Sequence, residues 1–306
     1  ISGFQFQDLF LSRSQIKGYI KSFYKYTNPL ILLSGLAFIS IMYDRWTLQK
    51  FHGSSEQGLF SLSENICSQL FILSASFLPL LQRELSSAIK ENDNKTVKYI
   101  FVNYGNFLFM ITSFLCVFIS FNSLFIAVLI GGDIYAPASK ILSIYAIYSI
   151  FRVKNQFYYI YLLSKENTKL IRDYTIVIYL IGIPLNFFLV MPKIYFGLGL
   201  GSVGLCIKMF VMQQLLLILT MKRVNKELKI SNLKTVMSEL RTISIFFLIA
   251  LSTGYISKYL AYFEDLTILI ELGLYSIISF ILVINFPRYF GLYYNKLNFK
   301  KLKSFF

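Results

Sequence analysis

The sequence has 306 residues, of which 56% are hydrophobic and only 15% are charged. Soluble domains carry about a quarter of charged residues, so this composition argues against a soluble globule. The formal charge of +15 would suggest a nucleic-acid partner in a soluble protein. In a membrane protein, basic residues instead hold loops on the cytoplasmic side. We therefore expect a protein of the lipid bilayer that has no nucleic-acid partner.

Apolar stretches of about twenty residues, the length of a membrane-spanning helix, recur along the chain. They lack the period-two alternation of barrel strands, so we predict an all-α integral membrane protein with about eight transmembrane helices. A further apolar stretch at 123–132 is too short to cross and predicts a turn or a short interfacial helix. The predicted spans are 29–48, 58–81, 99–121, 137–163, 174–191, 200–221, 242–259 and 266–286.

These spans divide the chain into five regions. Residues 1–28 form a basic segment, either an amphipathic helix on the cytoplasmic surface or a simple tether. Residues 29–221 hold six predicted helices and 242–287 hold two more. A basic loop at 222–241 joins them, and a basic tail follows at 288–306. The chain does not begin with Met, so we expect it to be the later part of a longer protein.

Lys and Arg residues are distributed unequally between alternate connections. The N-terminal arm, every second connection and the C-terminal tail are rich in Lys and Arg. Only four basic residues fall in the other connections: Lys50, Lys140, Lys193 and Lys258. This positive-inside asymmetry predicts a multi-pass protein of the cell (inner) membrane with both termini in the cytoplasm.

Six charged residues within the predicted spans are candidates for a role inside the membrane: Asp44, Arg45, Glu64, Arg152, Lys154 and Lys208. A charge in the membrane is costly, so it usually faces protein or a wet cavity. Four of the six are basic, which favours an anionic cargo. Asp44 and Glu64 are both near the outer end of their spans, which argues against a cation-coupled exporter.

The fourth span carries the most informative polar pattern. Tyr145, Tyr148, Arg152, Asn155, Gln156 and Tyr159 recur at intervals of three and four and therefore share one helical face. A guanidinium, amides and aromatic rings would suit a sugar phosphate, so we predict substrate binding by Tyr148, Arg152, Asn155 and Gln156. The alternative is a polar seam between packed helices. Lys154 lies on nearly the opposite face and is expected to snorkel or to pair elsewhere.

Four further residues complete the predicted binding set. Asn65 and Gln69 lie on a polar face of the second span, and Lys208 lies near the middle of the sixth. Lys208 is a candidate second phosphate contact unless it forms an ion pair. Arg45 is a candidate contact or a charge at the outer headgroup level.

The residues offer no support for catalysis. The sequence has one His and three scattered Cys, so it shows no catalytic triad and no metal cluster, and it has no phosphate-binding loop. We interpret the three cysteines as small residues of the hydrophobic core. We predict that the protein is not an enzyme and needs no cofactor.

Three segments resemble those of a known family. They are 26–48 (YTNPLILLSGLAFISIMYDRWTL) with GLFS at 58–61, 130–147 (IGGDIYAPASKILSIYAI) and 186–204 (NFFLVMPKIYFGLGLGSVG). Their order resembles the second lobe of the polysaccharide-biosynthesis flippases, the O-antigen and teichuronic-acid exporters of the multidrug/oligosaccharidyl-lipid/polysaccharide exporter superfamily. The glycines of the third segment would allow a tight turn and close helix approach.

The resemblance implies a six-helix lobe plus two helices, without the first lobe. It implies translocation by alternating access of an oligosaccharide linked to undecaprenyl diphosphate, in lipopolysaccharide O-antigen or related polysaccharide biosynthesis. The implied partners are that lipid-linked oligosaccharide, the bilayer and polysaccharide polymerase machinery. Two alternatives stay open: a cation-coupled small-molecule or multidrug exporter of the same superfamily, and a membrane-embedded glycan polymerase.

Overall fold

The computed structural model describes residues 13–260 and 264–292. The described chain is α-helical and contains no strands, as predicted. Three short 3₁₀ turns separate or follow helices. The α-helices are α1 (Arg13–Lys90), α2 (Asn94–Phe121), α3 (Ser123–Gly131), α4 (Ala138–Ser164), α5 (Thr168–Val190), α6 (Gly201–Leu228), α7 (Asn232–Leu260) and α8 (Glu264–Asn285).

Six of the described helices are long and apolar enough to cross a membrane, which indicates a multi-pass membrane protein. α4 is not among them, because polar and charged side chains interrupt its apolar sequence. The apolar segment 123–132, which we predicted to be too short to cross, contains α3. This confirms a short helix there. The six segments are Ile16–Ile72, Asn94–Phe121, Thr168–Val190, Gly201–Leu228, Asn232–Lys258 and Thr267–Asn285.

Helix α1 contains a sharp bend where the sequence predicts a loop. Its single non-helical residue is Gly53, with φ 87° and ψ 174°, a conformation suited to glycine. Along a straight helix, Arg45 and Glu64 would be roughly 28 Å apart at 1.5 Å per residue. Their side chains instead meet at 2.9 Å. The arms 13–52 and 54–90 therefore fold back toward one another.

The bend in α1 is fastened to the connection between α5 and α6. On one side of it, the ring nitrogen Nε2 of His52 lies 2.6 Å from the carbonyl oxygen of Val190. On the other side, Glu56 accepts hydrogen bonds from the hydroxyl and the backbone N–H of Ser202. Glycine supports the same connection, since Gly201 has a positive φ of 55°. The glycine-rich segment thus forms the tight turn that the sequence predicts.

Helix α4 lies at the centre of the bundle and packs against α1, α2 and α6. Aromatic contacts dominate one part of the core, where the Phe101 ring meets Phe157, Tyr158 and Tyr161 edge-on at centroid distances of 5.2–6.0 Å. α7 and α8 attach to the outside of α2, and Tyr275 stacks on Phe114 at 4.8 Å. The face of α4 that bears Lys154, Phe157, Tyr158 and Tyr161 is therefore buried in the bundle, whereas Arg152, Asn155 and Gln156 are only half-buried and Tyr159 is exposed.

The predicted regions differ from the observed elements at three places. Residues 13–28, predicted as a separate cytoplasmic segment, are continuous with α1, while 1–12 lie outside the described residues. Most of the predicted basic loop 222–241 is helical, because α6 ends at Leu228 and α7 begins at Asn232. The predicted tail 288–306 is described only to residue 292.

Candidate functional site

A group of charged side chains, which we call the charge belt, lies between α1, α4 and α6. It consists of Asp44, Arg45, Glu64, Arg152 and Lys208. Its first member is the ion pair of Lys208 with Asp44, in which the ammonium lies 2.6 Å and 2.8 Å from the two carboxylate oxygens. Their side chains are only 7% and 14% exposed. Gly182 of α5 leaves room for this lysine, since a Cβ there would lie 3.3 Å from its Cε. Lys208 is thus occupied by a carboxylate.

The second pair of the charge belt joins the two arms of α1. The guanidinium of Arg45 donates a hydrogen bond to Glu64 at 2.9 Å. The other carboxylate oxygen of Glu64 accepts a hydrogen bond from the hydroxyl of Tyr145 at 3.4 Å. Tyr145 is fully buried in α4, whereas the Arg45 side chain is 43% exposed. This pair therefore connects the bend of α1 to the centre of the bundle and leaves part of its guanidinium accessible.

Arg152 differs from the other cations of the charge belt. Its guanidinium carbon lies 4.2 Å from the centre of the Phe71 ring, and the buried Tyr148 lies one helical turn before it on α4. Among the described residues, no carboxylate lies within 4.0 Å of it. The residue is half-buried. A half-buried guanidinium that packs on an aromatic ring, without a counter-ion among the described residues, is suited to bind an anion.

The amides of the α4 stripe make contacts between helices. Asn155 accepts a hydrogen bond from the Thr220 hydroxyl of α6 at 3.0 Å. Gln156 accepts one from the Ser74 hydroxyl of α1 at 3.3 Å. Both side chains are half-buried. Each amide oxygen therefore joins α4 to a neighbouring helix, as a polar seam would, about one helical turn after Arg152.

The structure brings some predicted residues together and leaves others apart. Tyr148, Arg152, Arg45 and Lys208 all belong to the charge belt or line it. Asn65 and Gln69 lie instead on the exposed face of the second arm of α1. The sequence placed them on a polar face, and that face is at the surface of this chain.

One aromatic residue beside the belt was not predicted from the sequence. Phe71, on the second arm of α1, packs against the Arg152 guanidinium of α4. An aromatic residue in an apolar helix gives no local signal of such a role. Only the packing of α1 against α4 reveals it.

Lys154 lies outside the charge belt, as its position on α4 predicts. Its ammonium lies 3.1 Å from Glu239 of α7 and 3.4 Å from the Asn106 oxygen of α2. Both members of this ion pair are more than 90% buried. Glu239 lies in the predicted cytoplasmic loop 222–241, so it was not predicted as the partner of Lys154. The expectation that Lys154 pairs away from Arg152 is confirmed.

The charge belt can bind and orient an anion. Within the described part of the chain, no group of three His, Cys, Asp or Glu side chains is placed to hold a metal ion. All three cysteines are buried and free. No protein-family model matches the sequence, and no curated protein and no solved structure matches it significantly.

Proposed function

We propose that this chain is part of a flippase that moves an undecaprenyl-diphosphate-linked oligosaccharide across the cell membrane by alternating access. The observation that supports it best is Arg152, a half-buried guanidinium without a carboxylate partner in the described chain. The family resemblance of the sequence supports the same substrate class.

The charge balance of the belt favours an anionic cargo. Arg45 and Lys208 are neutralised by Glu64 and Asp44, which leaves Arg152 as the uncompensated positive charge. A guanidinium matches the oxygens of a phosphate with two parallel hydrogen bonds. Tyr148 lies one helical turn before Arg152 on α4 and is buried in the core. In this proposal, Lys208 holds Asp44 in place and does not touch the substrate.

The proposed topology has eight crossings. They are the two arms of α1, then α2, α4, α5, α6, α7 and α8, with both termini in the cytoplasm. The central position of α4 supports its inclusion, because α1, α2 and α6 all pack against it. α3 is too short to cross and would lie at the outer surface.

A cation-coupled exporter of the same superfamily is less well supported. Coupling to protons or sodium needs a carboxylate that can take up and release the ion. Asp44 is held by the Lys208 ammonium and Glu64 by the Arg45 guanidinium. Both carboxylates of the belt therefore already have a cationic partner, and the other carboxylate of the predicted spans, Glu271 of α8, is buried and accepts a hydrogen bond from Asn122.

The test is replacement of Arg152 in the protein encoded by its own gene. We expect Arg152→Gln to reduce surface glycan per molecule of protein by about tenfold or more, because a charged hydrogen bond is lost. Arg152→Lys keeps the charge and should retain part of the export. Arg83→Gln is the matched control, since that side chain is 74% exposed and lies outside the belt. Full export by Arg152→Gln at normal protein level would overturn the proposal.

A further inference from the structure

A second cationic feature lies away from the charge belt, at the end of the bundle that carries the basic connections. It is a cavity of about 700 Å³ between α2, α4, α6, α7 and the residues that follow α8. Ligand sites commonly have volumes of roughly 300–1,000 Å³. Five cationic side chains line it: Lys98, Lys154, Lys229, Lys234 and Arg288. We call it the basic cavity.

The basic cavity has a large excess of positive charge. No carboxylate is among its described lining residues. Glu239 neutralises Lys154 from behind, at 3.1 Å, which leaves the other four cations. Lys98 donates a hydrogen bond to the backbone carbonyl of Lys229 at 3.0 Å, so it is held in position without losing its charge. Four cations around one cavity repel one another unless an anion joins them.

The walls of the basic cavity are fixed by contacts from several helices. Asn106 of α2 donates a hydrogen bond to the carbonyl of Gly291 at 2.8 Å. Arg241 of α7 donates one to the carbonyl of Tyr289 at 2.7 Å. These bonds hold the segment that bears Arg288 against α2 and α7. The cations therefore surround the cavity from separate elements that are joined to one another.

We propose that the basic cavity binds a phosphate group. Cations that approach from α2, the turn after α6, α7 and the segment after α8 suit an anion with oxygens on several sides, and lysine is a common phosphate ligand. Basic clusters at the ends of transmembrane helices attract anionic lipid headgroups. The phosphate belongs either to a lipid headgroup or to a soluble phosphate. The site does not depend on the proposed flippase function, because it shares no residue with the charge belt.

The test compares two double variants of the full chain that lose the same charge. Lys234→Gln with Arg288→Gln removes two exposed cations of the cavity. Lys222→Gln with Lys226→Gln removes two exposed cations of α6 that are not among its lining residues. Native mass spectrometry would count phosphatidic acid molecules retained by each protein. Thermal melting would measure stabilisation by inorganic phosphate against chloride at equal ionic strength.

We expect the cavity variant to bind phosphate about tenfold more weakly than the wild type and the control variant. A specific loss of retained phosphatidic acid identifies a lipid headgroup as the source. A specific loss of stabilisation by inorganic phosphate identifies a soluble phosphate. Equal behaviour of the two variants in both measurements, or no binding by the wild type in either, would overturn the proposal.

Discussion

The ammonium of Lys208 lies 2.6 Å from the carboxylate of Asp44, although 164 residues separate the two along the chain. Both side chains are largely buried. Such a pair stabilises a fold little relative to apolar residues, but loss of one member leaves a buried charge without a partner. The pair therefore fixes how α1 and α6 meet.

Replacement of Lys208 alone should destabilise the protein strongly. We expect Lys208→Met to lower the free energy of unfolding by about 3 kcal/mol or more, because Asp44 stays buried. The double variant Lys208→Met, Asp44→Leu should recover most of that loss. Thermal melting in detergent measures both, with the exposed Lys222→Met as control. A double variant as unstable as the single one would contradict the pairing.

The bend of α1 can be measured directly. Spin labels at positions 45 and 64 should show strong dipolar broadening, because the two side chains meet across Gly53. Labels at 169 and 188 of α5 have the same separation in sequence and should lie roughly 28 Å apart, with little broadening. The three native cysteines would first be replaced by Ala. Equal spectra from the two label pairs would rule out the bend.

Gly204 marks the closest approach of α6 to the end of α5. A Cβ at this position would lie 2.7 Å from the Leu189 carbonyl oxygen and 2.9 Å from the Leu200 Cβ. We expect Gly204→Ala to destabilise the protein by about 1–3 kcal/mol, since these atoms have to move. Gly273→Ala on α8 meets nothing within 4 Å and should be neutral or slightly stabilising. Similar melting temperatures for the two variants would refute this packing.

Asp93 caps α2 outside the spans and makes its stability depend on pH. The Thr96 hydroxyl, and then the N–H groups of Thr96 and Lys95, donate hydrogen bonds to the Asp93 carboxylate and lower its pKa. The folded state therefore binds this proton less tightly than the unfolded state does. The stabilisation is present at neutral pH and is lost in acid, as pH falls through the lowered pKa.

The corresponding variant separates capping from titration. Asn is also a good N-cap but has no carboxylate to protonate. We expect Asp93→Asn to melt near the wild-type temperature at neutral pH and to lose less stability in acid. Asp93→Ala should be less stable at neutral pH. Identical acid dependence of wild type and Asp93→Asn would contradict a role for this carboxylate.

The helices could be predicted from the sequence, because long apolar runs dominate their formation. The bend at Gly53 could not, since His52-Gly53-Ser54-Ser55 has the composition of a loop. A bend made by one residue of positive φ and an ordinary loop between two helices have the same local sequence pattern, so the sequence does not distinguish them.

The candidate site could be predicted only in part. The spacing of Arg152 and Lys154 correctly placed them on different faces of α4. The partners of the intramembrane cations depend on which helices meet. The sequence alone therefore left Lys208 open between a phosphate contact and an ion pair, and in the structure it pairs with Asp44. Glu239 was missed because its helix begins earlier than the apolar run indicates.

The fastening of the α1 bend limits how this protein can change shape. His52 and Glu56, on either side of Gly53, are hydrogen-bonded to the turn between α5 and α6. The two arms can therefore move apart at this corner only if both contacts break. The corner and that turn then move as one rigid unit. In the flippase that we propose, the charge belt would become accessible from the other side of the membrane when this whole unit tilts against the rest of the molecule.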